Sequence, residues 1–208
     1  MVRNLLNAFK IFPYFSATLT NNEDTDKIRP RVGLGLPGGS VEGPVLVWIL
    51  QGLLERNIDY DVVVAKSIGA DVAAIFEGLR LKYELDHDRY NKYSGGPIQE
   101  LTEETITRSP LFRFYTIELP NRRGFIDITR LIDWVKEATE ERELSYFPRL
   151  KIVAHVAGTT NDVIFGDVAK DYPAWKAAAA SSCLSSVLGG WDYDGSAIPG
   201  VLSKGQVI

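Results

Sequence analysis

Residues 61–76 read Asp61-Val-Val-Val-Ala-Lys-Ser-Ile-Gly-Ala-Asp-Val-Ala-Ala-Ile-Phe76. A β-branched apolar run meets a serine, and an alanine-rich stretch follows at once. The first half suits a strand and the second a helix, so Ser67 falls on a strand-to-helix turn. Ala65 and Gly69, two residues either side, are small, as a tight turn of this kind requires. The layout is that of a nucleophile elbow, which lifts a serine hydroxyl above the end of a sheet. Ser67 Oγ would then face the free N–H groups at the start of a helix, which favour developing negative charge. The other reading is a plain helix N-cap, a role serine often fills.

Upstream, Arg31-Val-Gly-Leu-Gly-Leu36 suits a short strand. Pro37-Gly-Gly-Ser-Val-Glu-Gly43 follows as a glycine-rich turn. Val45 to Arg56 has apolar residues at 45, 46, 49, 50, 53 and 54, a helical spacing. Glycines before a helix leave backbone N–H groups free to converge on an anion. The loop could cradle a phosphate, form an oxyanion hole, or be a simple turn. No Gly-Lys-Ser/Thr ends it, so it is not a Walker loop.

Downstream, Ala177-Ala-Ala-Ala-Ser-Ser-Cys-Leu-Ser-Ser-Val-Leu188 reads as a helix of small residues. Gly189-Gly-Trp-Asp-Tyr-Asp-Gly-Ser-Ala-Ile-Pro199 follows it, with Asp194-Gly195 as a turn.

Taken in order, the three elements resemble the patatin-like phospholipase family. That family has a glycine-rich oxyanion loop, then a Gly-x-Ser-x-Gly elbow, then a distant Asp-Gly pair whose aspartate partners the serine. Lys151-Ile-Val-Ala-His-Val-Ala-Gly-Thr-Thr-Asn-Asp-Val-Ile-Phe165 is similar to the strand–turn–strand that precedes the family's small-residue helix. The resemblance runs from about Arg31 to Val201. It implies a lipid acyl hydrolase, a phospholipase or esterase of lipid degradation. Its catalytic dyad would be Ser67 and Asp194, and its oxyanion hole Gly38, Gly39 and Ser40. It implies no metal or other cofactor. The chain departs from the pattern at four places. Ser40 stands for the third loop glycine, and Glu42 for a basic residue. Ala65 stands for the first elbow glycine, and Ser196 for the last glycine of Asp-Gly-Gly. A serine at position 40 is strained if φ there is positive. Glu42 lowers the local positive potential.

Histidines bear on the base independently. A serine triad needs one, and the chain has only His87 and His155, both before Asp194. His155 lies in an apolar strand pattern and reads as a buried, hydrogen-bonded core residue. His87 lies among charges and reads as solvated. An aspartate is the remaining base for Ser67. Asp71, Asp192 and Asp194 are candidates, and only the resemblance selects Asp194. Asp71, one helical turn past Ser67, should point away from the active face. Lys66 reads as a solvated lysine or as a contact for an anionic head group.

Composition sets the class. A chain of 208 residues suits one domain with a substantial core. Its net charge of −4 and pI near 5.3 argue against a general nucleic-acid binder. A single cysteine, Cys183, forbids an intramolecular disulfide and fits a reducing, cytoplasmic setting. No apolar run reaches the ~20 residues of a membrane span. Residues 1–28 read as an N-terminal arm, and 29–208 as the hydrolase domain. Leu5, Phe9 and Phe12 of the arm fall near one face of a short amphipathic helix. That helix would pack on the domain or lie on a membrane surface.

Alternating strands and helices predict an α/β fold, a mostly parallel central sheet flanked by helices. Strands are expected at 31–36, 60–65, 150–157 and 161–165. Helices are expected at 44–56, 68–80, 98–108 and from an Asp127 N-cap to about Glu143. Leu111 to Glu118 reads as extended. The expected partners are a lipid or ester substrate, with peripheral membrane contact and a protein partner or second copy as open alternatives. Two rival functions stand beside the hydrolase. One is a weak or inactive patatin-like scaffold acting by protein or lipid binding. The other is a phosphate- or nucleotide-binding α/β protein, for which the sequence offers neither a Walker lysine nor an acidic ribose partner.

Overall fold

The computed structural model describes residues 31–39, 42–86, 95–108, 116–117, 126–127, 129–155 and 160–182. Strand β1 (Gly33–Leu36) leads into helix α1 (Gly43–Leu54), strand β2 (Val62–Lys66) and helix α2 (Ile68–Leu85). Helix α3 (Gly96–Arg108) is next. Strands β3 (Thr116–Ile117) and β4 (Ile126–Asp127) pair antiparallel as a separate small ribbon. Helix α4 (Thr129–Thr139), strands β5 (Leu150–His155) and β6 (Asp162–Phe165), and helix α5 (Ala174–Ser182) complete the order.

The main sheet has the order β1-β2-β5-β6. The first two pairings are parallel and β5–β6 is antiparallel. This is the expected mostly parallel α/β sheet. Each parallel step moves in the same direction across the sheet. Right-handed crossovers therefore put the connecting helices on one face. Helices α1 to α5 pack on one another, and α2 and α5 make the main contacts with the sheet.

Helix α2 lies at the centre of this packing, between the sheet and the other helices. Every residue from Ile68 to Leu79 is buried, as expected of a helix surrounded on all sides. Its closest neighbour is α4, because Gly78 has no side chain. A methyl group there would overlap the Ala138 carbonyl. Alanines do the same for α5, whose Ala177 to Ala180 are fully buried against α2, α4 and β5. Leu131, Trp134, Val135 and Ala138 of α4 all face the core, as their spacing predicts.

Several expectations are corrected. Asp127 is not the cap of α4: it ends β4, and the helix starts at Thr129. The helix stops at Thr139 rather than Glu143, because Glu140 and Glu141 take φ of +52° and +59°. His155 is not a core residue. It lies at the end of β5 on the face opposite Leu150, Ile152 and Ala154, with its side chain 44% exposed. It does hold a hydrogen bond, between Nδ1 and Asp162 Oδ1 at 3.0 Å.

A polar cluster occupies the end of the sheet opposite Ser67. The Tyr60 hydroxyl donates to buried Glu77, and Arg80 and Arg149 both bind Asp59. Burial and the adjoining Glu77 carboxylate push the Tyr60 phenol up, and burial pushes Glu77 up as well.

Candidate active site

Ser67 is the single residue between β2 and α2. Its φ of 53° and ψ of −135° belong to backbone space that glycine favours and other residues enter only under strain. An ordinary N-cap serine takes an extended conformation and accepts a helix N–H with its side chain. Ser67 does neither: its φ is positive and its hydroxyl makes no capping bond. The plain N-cap reading is thus disfavoured by the geometry, and the hydroxyl is left free of that duty.

The elbow is held through its backbone. The Ser67 N–H donates to Ser181 Oγ at 2.8 Å, and the Ser181 hydroxyl donates to the Val153 carbonyl at 2.6 Å. The Ser67 carbonyl accepts from Ala70 N–H at 2.7 Å, closing the first turn of α2. Strand β5 and helix α5 therefore clamp the turn from a distant part of the chain.

Glycines bring the upstream loop onto the serine. A methyl group on Gly69 would lie 2.5 Å from the Leu36 carbonyl oxygen and 2.6 Å from that of Pro37. Only hydrogen lets β1 pass so close over the start of α2. A methyl group on Gly38 would lie 3.0 Å from Ser67 Cβ and 3.5 Å from Ser67 Oγ. Gly38 thus abuts the Ser67 side chain. Among the described residues, neither the Gly38 nor the Gly39 N–H meets a backbone acceptor. Ala65 needs no positive φ: it lies in β2, buried between Leu36 and Ile152.

Glu42 is folded back over this loop. A methyl group on Gly39 would lie 2.6 Å from Glu42 Oε2, and the Glu42 N–H donates to the Gly39 carbonyl at 3.0 Å. The carboxylate therefore stands beside the same backbone that would receive an oxyanion. Lys66 is exposed.

Asp71 is fully buried one turn into α2 and accepts a hydrogen bond from the Ser182 hydroxyl at 2.5 Å. Its other oxygen, Oδ1, has no partner among the described residues. Burial pushes this carboxyl up to about 8, against the pull of the Ser182 bond. A carboxyl neutral at pH 7 is a poor base there, so Asp71 serves as a latch between α2 and α5.

Ser67, Gly38 and Gly39 are thus brought to one place. Ser40, Asp192, Asp194, His87 and Cys183 lie outside the described residues. Sequence reasoning missed Ser181 and Ser182. Their one visible sign is that two hydroxyls interrupt a run of buried alanines.

No model of a known protein family matches this chain, and no curated protein matches it either. The resemblance drawn above therefore rests on the quoted motifs alone. The described helices include none long and apolar enough to cross a membrane.

Proposed function

We propose that this chain is a patatin-like serine acyl hydrolase acting on carboxylic esters of lipids. The observation that carries the reading is the strained, positive-φ Ser67 with Gly38 against its hydroxyl. In the proposed reaction Asp194 accepts the Ser67 proton as Oγ attacks the ester carbonyl. The carbonyl π pair moves to oxygen, and the N–H groups of Gly38, Gly39 and Ser40 stabilise that charge. As the tetrahedral intermediate collapses, the C–O bond to the alcohol breaks, and the alcohol leaves with the proton from Asp194. Water, deprotonated by the same carboxylate, then releases the fatty acid and restores Ser67. The scheme calls on no metal or cofactor. A cytoplasmic enzyme meeting its substrate at a membrane surface fits the single cysteine and the apolar arm.

A second reading keeps the scaffold without the chemistry and has it act by binding a protein or lipid. The Glu42 carboxylate beside Gly39 favours it, since like charge opposes an oxyanion. Labelling with a fluorophosphonate separates the two. The hydrolase labels at Ser67 and the Ser67→Ala variant does not. Absence of labelling in a folded wild-type protein would leave the binding scaffold as the better account.

A further inference from the structure

Helix α5 ends on two consecutive hydroxyls, and each grips the start of α2 at a different point. Ser181 Oγ accepts from the Ser67 N–H at 2.8 Å, and the Ser182 hydroxyl donates to Asp71 Oδ2 at 2.5 Å. Asp71 closes the figure through its own backbone, whose N–H donates to the Ser67 carbonyl at 3.4 Å. The bonds form a ring from Ser67 through Ser181, Ser182 and Asp71 back to Ser67. One bond alone would let the end of α5 pivot about Ser67. The second, one helical turn further along α2, stops that motion. The Ser182 bond therefore sets where the Ser181 acceptor stands.

The Asp71 end of this ring suits a neutral acid. The residue has no exposed surface, its Oδ1 has no partner among the described residues, and its Oδ2 meets an uncharged hydroxyl. No lysine, arginine or histidine is buried among the described residues. The other buried carboxyl, Glu77, lies further along α2 and is bound to Tyr60. The buried side chains of α4, α5 and β5 are apolar or carry hydroxyls. Glu42 before α1 and Lys66 at the end of β2 are exposed. The start of a helix favours an anion, but burial outweighs it and pushes the carboxyl up to about 8. An ionised Asp71 would need water at Oδ1. Admitting that water parts the contact between α2 and α5 that Ser182 bridges.

We propose that Asp71, as the neutral acid, is a positioning residue for Ser67: it holds Ser182, fixes the last turn of α5, and so places the Ser181 hydroxyl on the Ser67 N–H. Loss of the Asp71 proton releases that turn and lets the strained elbow relax. The elbow is held while pH is below about 8 and let go as pH rises through that value. The consequence for reactivity rests on the hydrolase reading, whereas the positioning itself does not.

The test follows Ser67 in the full chain from pH 6 to 9 by two readouts, the NMR position of its amide proton and the rate of fluorophosphonate labelling. As pH rises through about 8 the Ser67 amide proton should move upfield, as its hydrogen bond weakens. The amide of Val63, bound to the Arg149 carbonyl, should hold still. Labelling should slow about fivefold over the same range. Asp71→Asn, neutral at every pH, should keep both readouts at their low-pH values. Ser182→Ala keeps the Ser67 bond but removes its brace, and should show part of the upfield shift already at pH 6. An unmoved Ser67 amide in the wild type would overturn the proposal. So would a shift that persists in Asp71→Asn, one that Val63 shares, or a Ser182→Ala protein whose Ser67 amide stays at the wild-type position. A shifting amide beside labelling that does not slow would overturn it too, since a positioning residue must move the rate. Should Asp71→Asn unfold, the wild-type titration and Ser182→Ala decide. A folded wild type that never labels counts against the hydrolase reading, and the amide titration then decides on Asp71 alone.

Discussion

The Ser67 N–H is held by Ser181 Oγ at 2.8 Å, across 114 residues of sequence. A strained turn needs such an anchor, because nothing in the local chain favours its conformation. Ser181→Ala removes the acceptor and should destabilise the fold by about 1–2 kcal/mol. It should also slow fluorophosphonate labelling of Ser67 more than Ser182→Ala, which leaves the Ser67 bond in place. Urea titration and labelling rates on both variants check this. Equal slowing would mean that Ser181 has no special hold on the elbow.

Strain at Ser67 is measurable in itself. Ser67→Ala and Ser67→Gly both delete the hydroxyl, but only glycine takes φ of +53° at ease. The glycine variant should be more stable than the alanine variant by about 1 kcal/mol, and neither should hydrolyse an ester. Thermal melts of the pair give the answer.

The proposed dyad predicts non-additivity. Asp194→Asn should reduce turnover as severely as Ser67→Ala, and the double variant should be no worse, because the two residues act as one unit. His155→Gln, which loses only a half-exposed bond to Asp162, should leave turnover nearly unchanged. A larger loss in folded His155→Gln than in Asp194→Asn would point to a histidine base.

Glu42 should restrain the rate. Its carboxylate lies beside Gly39, where charge would develop in the proposed transition state. Glu42→Arg should raise the acylation rate constant several-fold at low salt and less at high salt, since the group is exposed and screened. Pre-steady-state acylation at two ionic strengths is the measurement. No change at either would move attention to Ser40, with Ser40→Gly as the next variant.

Asp71 makes stability depend on pH. Burial raises its carboxyl to about 8 from an ordinary value of 3.8. The folded state therefore holds a proton that the unfolded chain releases. The stabilisation is complete below about pH 4 and is lost as pH rises through about 8. Over that window the folding equilibrium should weaken by up to about tenfold per pH unit from this group. Asp71→Asn should flatten the profile and be the more stable protein at pH 9. Denaturant midpoints from pH 4 to 9 would show a parallel pair of curves if Asp71 were ionised in the fold.

Much of this was legible in the chain because its causes are local. The valine run and alanine run around Ser67 specify β2 and α2, and the spacing of Leu131, Trp134, Val135 and Ala138 specifies the inner face of α4. Gly69 was readable as a small residue, although the carbonyls it admits come from the end of β1 and from Pro37 just after it. Other features had no local cause. Glu140 and Glu141 end α4 in a conformation that no glycine or asparagine announces. His155 misled because Val153 shares its face of β5 and makes the run look apolar throughout, although Lys151 on that same face marks it as the less buried side. Ser181 looked like filler because its partner is a backbone N–H more than a hundred residues away.

That separation also bears on timing. Strands β1 and β2 with the helix between them form a local unit, and contacts near in sequence form faster than remote ones. The Ser181 clamp needs both β5 and α5 in place. A chain still being made, or one that has lost its later part, would carry Ser67 without the bond that anchors its backbone. Completion of the fold and anchoring of the Ser67 turn are thereby coupled, so a molecule lacking α5 would carry this strained residue without its distant support.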